Sequence, residues 1–396
     1  MFTFNIGLAI ALVLSLTGLH GAIPLFWAYP RCIKPRYPVL KPIPYVSLGK
    51  LPTPVHKLET LGKLIGASNL YIKRDDLCGE IGGNKVRKLE FTLGEAVAYG
   101  AKGVMTWGFA GSNHTCATAF FCNKLGLECH CMHLAQPVTA YLRRNLLLSK
   151  YFGADLTLYP TAAVREVAVY QKLRKFKSEN KGGEFVFIPS GGSNEVGAIG
   201  FVNAAFELKE QIAQGSIPEP DYLYVAIGSC ATTAGLVLGL KAAGLKTQVM
   251  PINIEHDEEM HEHEKKFTML FQLTNSLLHQ QDSNFPLFEL KPEDVVINHN
   301  FIGEGYAIVS QPAKDAINLL QQTDGIKLDG TYTSKAFAAM LDDIQTKNIG
   351  DKVILFWNTY TAGDFADITS KVDYKDLPKE YHPYFQAPLT ANDPGA

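Results

Sequence analysis

The chain has 396 residues, 46% hydrophobic and 19% charged, with a formal net charge of -2. That length allows two domains, or one large α/β domain with an elaboration. No basic excess points to nucleic acid and no acidic tail to disorder, so a nucleic-acid partner is not expected. The seven cysteines (Cys32, Cys78, Cys116, Cys122, Cys129, Cys131 and Cys230) include no CxxC pair. Cys129-His130-Cys131 is too tight for half of an ordinary zinc site. The thiols therefore read as reduced, and no metal is expected.

From the N-terminus, no Asp, Glu, Lys or Arg occurs before Arg31, and Ile6 to Ala28 is mostly apolar. That stretch is long enough to span a bilayer, with Trp27 and Tyr29 placed as interfacial anchors ahead of Arg31, Lys34 and Arg36. A membrane anchor over residues 6–28 is the expectation, with the catalytic body on the cytoplasmic side because the positive charges follow the span. The rivals are a cleaved signal peptide, a cytoplasmic or exported body, and a hydrophobic extension packed on the domain. Residues 30–55 carry seven prolines and read as an extended linker and lead-in.

Strand-like and helix-like stretches then alternate. Leu70–Ile72 is a short apolar run leading to the segment Gly82-Gly83-Asn84-Lys85-Val86-Arg87-Lys88-Leu89. Val86, Leu89, Leu93 and Val97 recur at helical spacing, which puts Lys85 in or just before the first turn of a helix. The helix terminus, Arg87 and Lys88 would disfavour an ammonium there and lower its pKa, as a lysine that attacks a carbonyl requires. The paired glycines let backbone approach a bulky ligand. Taken alone, the segment is more simply a solvated lysine in a basic turn.

Further strands are expected at Val104–Trp107, Cys129–Leu134, Leu156–Tyr159, Phe185–Ile188, Tyr222–Ile227, Val249–Ile254 and Val353–Trp357. Helices are expected at Thr115–Leu125, Val138–Phe152 and Ala234–Ala243, with another from Val196. Such alternation predicts α/β architecture, a mostly parallel sheet covered on both faces. Ligands of such sheets collect at the strands' carboxyl ends, and three loops have that placement. Gly228-Ser229-Cys230-Ala231-Thr232-Thr233 has the small residues and hydroxyls of an anion nest, although these also cap helices. Gly111-Ser112-Asn113 offers an amide and a hydroxyl, or simply an N-cap. Ser190-Gly191-Gly192-Ser193-Asn194 is the third. With Lys85, the three loops suggest a phosphorylated carbonyl cofactor, pyridoxal 5'-phosphate. The glycine fingerprint of a dinucleotide-binding Rossmann unit is missing. The charged run His256–Glu264 reads as a solvated helix or loop.

At these residues the chain resembles the family of D-cysteine desulfhydrases and 1-aminocyclopropane-1-carboxylate deaminases. The resemblance runs from about Leu51 to about Phe365. It is carried by YIKRDDL with GGNKVRKLEF, then GSNHT, IPSGGSN, GEGY, LDGTYTSKAF and LFWNTYTAG, in the family's order. It implies the fold type II of pyridoxal-phosphate enzymes, two three-layer α/β/α domains with open, mostly parallel twisted sheets, and a homodimer. The expected organisation is a hydrophobic segment (1–29), a linker (30–50), a large domain (51–97 and 198–380), a small domain (98–197) and a tail (381–396).

The resemblance also implies residue roles. Lys85 is the Schiff-base lysine, Lys88 helps hold the phosphate, and the backbone of Gly228, Ser229, Cys230, Ala231 and Thr232 cradles it. Asn113 contacts the ring oxygen and Ser112 the substrate carboxylate or Cα region, while Tyr306 and Tyr332 face the substrate. Thr333 and Thr359 match the two positions that separate the subclasses, in the desulfhydrase pattern; a neutral threonine near the pyridine nitrogen suits β-elimination of a thiol. The implied activity is conversion of a small thiol amino acid to pyruvate, ammonia and sulfide. Deamination of a cyclopropane or other small amino acid is one alternative, and a membrane-tethered pyridoxal-phosphate binder without turnover is another. The chain departs from the family at Ser229-Cys230-Ala231, which has less glycine, and at Asn358–Ala362, where a histidine and paired glycines are usual.

Overall fold

The computed structural model describes Leu25–Phe26 and residues 43–179, 184–256 and 261–393. A short ribbon, β1 (Leu25–Phe26) with β2 (Tyr45–Val46), precedes β3 (Val55–Lys57), α1 (Glu59–Ile65), β4 (Leu70–Lys73) and α2 (Lys85–Ala98). Next come β5 (Gly103–Phe109), α3 (Asn113–Leu125), β6 (Glu128–Leu134), α4 (Ala140–Tyr151), β7 (Asp155–Tyr159), α5 (Ala162–Glu179) and β8 (Phe185–Ile188). The chain continues through α6 (Glu195–Ala213), β9 (Tyr222–Ile227), α7 (Ala231–Ala243), β10 (Gln248–Asn253) and α8 (Glu262–Gln281). It closes with α9 (Gln311–Asp324), α10 (Thr333–Thr346), β11 (Ile354–Trp357), α11 (Ala366–Thr369) and α12 (Pro383–Gln386).

Two sheets result. One runs β10-β9-β11-β4-β3 and is parallel except for β3 at its edge. The other runs β7-β6-β5-β8 and is parallel throughout. Side chains alternate across a strand, so a strand buried on both faces feeds two cores. Leu223, Val225 and Ile227 of β9 pack toward α6, α7 and α8, while Tyr224 and Ala226 pack toward α9 and α10. In the smaller sheet Val104, Cys129 and Cys131 join the core beneath α2, α3 and α4, whereas Met105 and Met132 face α5. Each sheet is thus the middle of three layers, the α/β architecture expected.

The strands expected from the sequence form within a residue or two at most ends. Helix α7 starts at Ala231 rather than Ala234, because Thr232 and Thr233 are buried in its first turn. The proline-rich lead-in contains β2 and β3, which its composition did not suggest. The charged run resolves in part into the start of α8, and its residues 257–260 lie outside the described residues.

The membrane anchor is corrected. Leu25–Phe26, near the end of the apolar stretch, is a strand paired with Tyr45–Val46, so that end does not continue a spanning helix. Among the described residues no helix is long and apolar enough to cross a membrane. The rest of residues 6–28 lies outside the described residues. With the anchor goes the orientation argued from it, a body held against the cytoplasmic face.

The last described stretch crosses between the two halves. Thr390 N–H donates to Val138 O (2.9 Å), Arg143 Nε donates to Tyr384 O (2.8 Å), and Asn392 Nδ2 donates to Val309 O (3.4 Å).

Candidate active site

The carboxyl ends of β5, β8, β9 and β11 open on one cleft, where ligands of parallel sheets bind. All three loops singled out above line it, through Ser112 and Asn113, Ser190 and Gly191, and Gly228, Ser229, Cys230 and Thr232. Lys85, Tyr306, Tyr332 and Thr359 line it too. Three expected residues do not: Lys88 is buried behind the wall, Ala231 is buried in α7, and Thr333 turns its hydroxyl to Asp329. Sequence reasoning missed His114, Glu255, Lys266 and Asp329, which also line the cleft.

Lys85 opens α2. Burial lowers its pKa from 10.5 to about 8, with the Asp329 carboxylate pulling the other way. The direction is the one expected, but the cause is not. Arg87 points away from the cleft and is neutralised, donating to Asp75 (2.7 and 2.9 Å) and Glu207 (2.9 and 3.0 Å). The paired glycines also serve a different neighbour. Gly83 has φ +86°, and a Cβ there would lie 2.8 Å from Thr361 Oγ1 and 3.0 Å from Tyr360 O. What approaches it is the loop after β11, which brings Thr359 to the cleft.

At one end of the cleft the start of α7 presents N–H groups with no intrahelical acceptor. Asn84 Nδ2 donates to Thr232 Oγ1 (3.0 Å), tying the start of α2 to it. Lys88 Nζ donates to Ser193 Oγ (3.4 Å), whose hydroxyl donates to Ser229 Oγ (2.7 Å), so a buried cation reaches the loop through two hydroxyls. Burial and then Lys85 lower the Lys88 pKa well below its ordinary value, a cost that a nearby dianion would relieve. Lys266 lines the same end. Cys230 sits at φ +68°, and burial pushes its thiol up to about 12. That thiol is no nucleophile at neutral pH.

At the other end Asn145 Nδ2 donates to Asn113 Oδ1 (2.8 Å) and to Gly111 O (2.9 Å). The Asn113 carbonyl is therefore occupied, leaving its amide as donor. Tyr306 and Tyr332 hydrogen-bond through their hydroxyls (2.9 Å), and burial raises both pKa values, so both stay protonated. Asp329 accepts from the N–H groups of Thr331 (2.9 Å), Tyr332 (2.7 Å) and Thr333 (3.2 Å). It thereby fixes Tyr332. Lys335, fully buried, donates to Ile254 O, Ile302 O and Gly305 O (3.2, 2.6 and 2.7 Å) and anchors the loop that carries Tyr306. None of Asn145, Asp329 or Lys335 stands out by spacing; only their tertiary partners mark them.

Lys335→Met leaves three buried carbonyls without a donor and should destabilise the protein by about 2–4 kcal/mol, read in denaturant titration. Asn145→Ala frees the Asn113 amide to turn. It should lower kcat/KM roughly tenfold or more while cofactor still binds, because small misplacements of positioning groups have large kinetic effects. Unchanged kcat/KM would show that Asn113 needs no such guide.

The residues present fit pyridoxal phosphate. An amine held near pKa 8, an anion-binding helix start, a fixed amide donor and a neutral threonine share one cleft. In its wall His114 donates from Nε2 to Thr106 Oγ1 (2.8 Å), since that hydroxyl is itself spent on Ile188 O (2.8 Å). Its Nδ1 is a buried acceptor without a partner. Gly191 packs so closely that a Cβ would lie 2.1 Å from Ser229 Oγ.

Fold and cleft together define a pyridoxal-phosphate enzyme, and the comparisons agree. The family model "Pyridoxal-phosphate dependent enzyme" matches residues 46–359, and the chain belongs to that family. It is 32% identical over 329 residues to a "Putative 1-aminocyclopropane-1-carboxylate deaminase" of Pyrococcus furiosus, covering 83% of this chain and 95% of that one. It is 32% identical over 349 residues to the "Bifunctional D-cysteine desulfhydrase/1-aminocyclopropane-1-carboxylate deaminase, mitochondrial" of Arabidopsis thaliana, covering 84% and 82%. It is 33% identical over 329 residues to a "D-cysteine desulfhydrase" of Klebsiella pneumoniae, covering 80% and 93%. The crystal structure of an ACC deaminase homologue superposes with a TM-score of 0.71 at 30% identity, covering 87% of this chain and all of that one.

Proposed function

We propose that the chain catalyses α,β-elimination of a small thiol amino acid, giving pyruvate, ammonia and the thiol or sulfide. The observation that carries this is the buried Lys85 amine at about pKa 8 in one cleft with the start of α7 and the Tyr306–Tyr332 pair. Pyridoxal phosphate, when bound, supplies the aldehyde that joins amines and the ring that takes up electrons from Cα. Lys85 would attach it, and N–H groups of the Ser229–Thr232 loop would hold its phosphate, with the Lys88 charge acting on that loop through the Ser193 and Ser229 hydroxyls. Asn113, its carbonyl taken by Asn145, would donate its amide to the ring oxygen. The Lys85 amine would take the proton from Cα. Ser112 binds the substrate carboxylate, and the tyrosine hydroxyls orient the leaving sulfur and give it a proton.

Thr333 and Thr359 keep the desulfhydrase pattern at the two positions that separate the subclasses, which favours expulsion of a good leaving group. The second reading is opening of the cyclopropane amino acid; relatives named for both reactions support it equally. Incubation with D-cysteine, L-cysteine and 1-aminocyclopropane-1-carboxylate, with 2-oxo acid and sulfide measured together, separates the two. Oxo acid from the cyclopropane alone would overturn the thiol assignment. Cofactor absorbance with no product from any of them would support the binder without turnover.

A further inference from the structure

A second cavity adjoins the cleft. It encloses about 660 Å³, mouth included, beside about 840 Å³ for the cleft of Lys85. Asn113, Tyr306, Asp329 and Tyr332 border both, so the tyrosine pair stands as a doorway between them. The anion-binding start of α7 lies on the far side of the first cleft and does not touch the second. A group attached to an amine held at Lys85 therefore has a roomy direction to extend, past the tyrosines; the smaller space of about 460 Å³ that also adjoins the cleft lies by Gly228, Glu255 and Lys266, at the anion-binding end.

The two spaces differ in chemistry. The cleft is lined mainly by hydroxyls, amides, lysines and carboxylates, whereas Tyr141, Tyr360, Val309 and Leu328 give the second chamber rings and aliphatic chains. Tyr141 and Tyr360 lie 6.2 Å apart between centroids and are tilted by 36°, a spacing at which aromatic rings attract. The Arg144 guanidinium sits 4.0 Å above the Tyr141 ring and holds it in place. Tyr360 is the bulky residue of the loop after β11. It lies in the chamber wall and not against the first cleft, so its bulk shapes the space beyond the doorway.

We infer that this chamber receives an aromatic or other large apolar substituent carried on the substrate's sulfur, so that the substrate class is the S-substituted cysteines. The inference rests on the elimination reading above and narrows it. In the reaction the Cα–H proton passes to the Lys85 amine and the Cβ–S bond breaks, with its electron pair leaving on sulfur. One water is consumed, and the products are the thiol, pyruvate and ammonium. An aryl thiolate leaves more readily than hydrosulfide, so the chamber would select the substrate that is easier to cleave.

The test uses the loaded enzyme with S-phenylcysteine and cysteine, each as both enantiomers, with pyruvate and released thiol followed together. The S-phenyl compound is expected to give a kcat/KM at least tenfold above that of cysteine. In Tyr360→Ala that ratio is expected to fall at least tenfold, whereas a merely structural tyrosine would lower both rates in step. Turnover of cysteine with none of the S-phenyl compound would overturn the chamber assignment and leave elimination standing. So would an unchanged ratio in Tyr360→Ala. The visible cofactor band with no pyruvate from any compound would overturn both.

Discussion

Lys85→Ala is expected to abolish the visible absorbance of the bound cofactor and to lower turnover by at least about a thousandfold. The Lys85 side chain is the one amine of the cleft at the start of α2, and its neighbours Lys88 and Arg87 are committed to Ser193 and to Asp75 with Glu207. Neither can move to replace it. The pKa supplies a second readout. An ordinary lysine at 10.5 is roughly 0.03% free base at pH 7, whereas one at about 8 is roughly 10% free base. The charged form is unreactive toward an aldehyde, so attachment should quicken as pH rises and level off above about 8. Mixing apoprotein with pyridoxal phosphate from pH 6 to 10 and following the band measures this. A rate still climbing at pH 10 would mean that the lysine is not desolvated.

Arg87→Met is expected to destabilise the fold by about 3–5 kcal/mol, the range for breaking a buried ion pair from one side. Arg87, Lys73, Asp75 and Glu207 are all buried. Lys73 donates to Glu207 Oε1 (2.5 Å), Gln211 Oε1 (2.7 Å) and Thr53 O (2.7 Å), and Trp357 Nε1 donates to Asp75 Oδ2 (2.8 Å). The cluster joins β4, α2, α6 and β11 directly beneath the cleft. Losing Arg87 leaves two carboxylates facing one lysine in a dry interior. Burial alone would raise the Glu207 pKa, but the charges of Arg87 and Lys73 outweigh it and hold it at about 2. Its folded value lies below its unfolded one, so its stabilisation is complete above about pH 4.5 and fades as pH falls toward 2. Denaturant midpoints at pH 7, 4 and 3 should therefore decline in the natural protein. In Arg87→Met the charge that does most to hold Glu207 down is gone, so the decline should be shallower or reverse. A midpoint unmoved by the substitution would mean that the cluster contributes nothing net.

The strands were legible because each buries two faces in a run such as Tyr222–Ile227, and the loops because small residues and hydroxyls follow those runs. Lys85 stood out by its glycines and by the helical spacing after it. The cause of its lowered pKa was not legible, since the partners that neutralise Arg87 include Glu207, 120 residues away. Asn145 and Lys335 look like ordinary helix residues until the carbonyls they serve are seen. Thr333 was expected at the cofactor because it follows Tyr332. One residue along a helix start turns a side chain through a large angle, and its hydroxyl meets Asp329 instead. The apolar N-terminal stretch misled for the opposite reason. Hydrophobicity alone does not distinguish a lipid-spanning segment from one that enters protein structure, and Leu25–Phe26 is paired in a ribbon.

The bonds of the closing stretch to Val138 and Val309 have a mechanical consequence. They tie the loop before α4 to the loop before α9, on the side where Asp393 borders the aromatic chamber. Any parting of these two loops that admits a bulky amino acid must stretch or release that seam. A bulky fusion placed just after it would pull on the same bonds, and substrate admission would feel the load before the chemistry did.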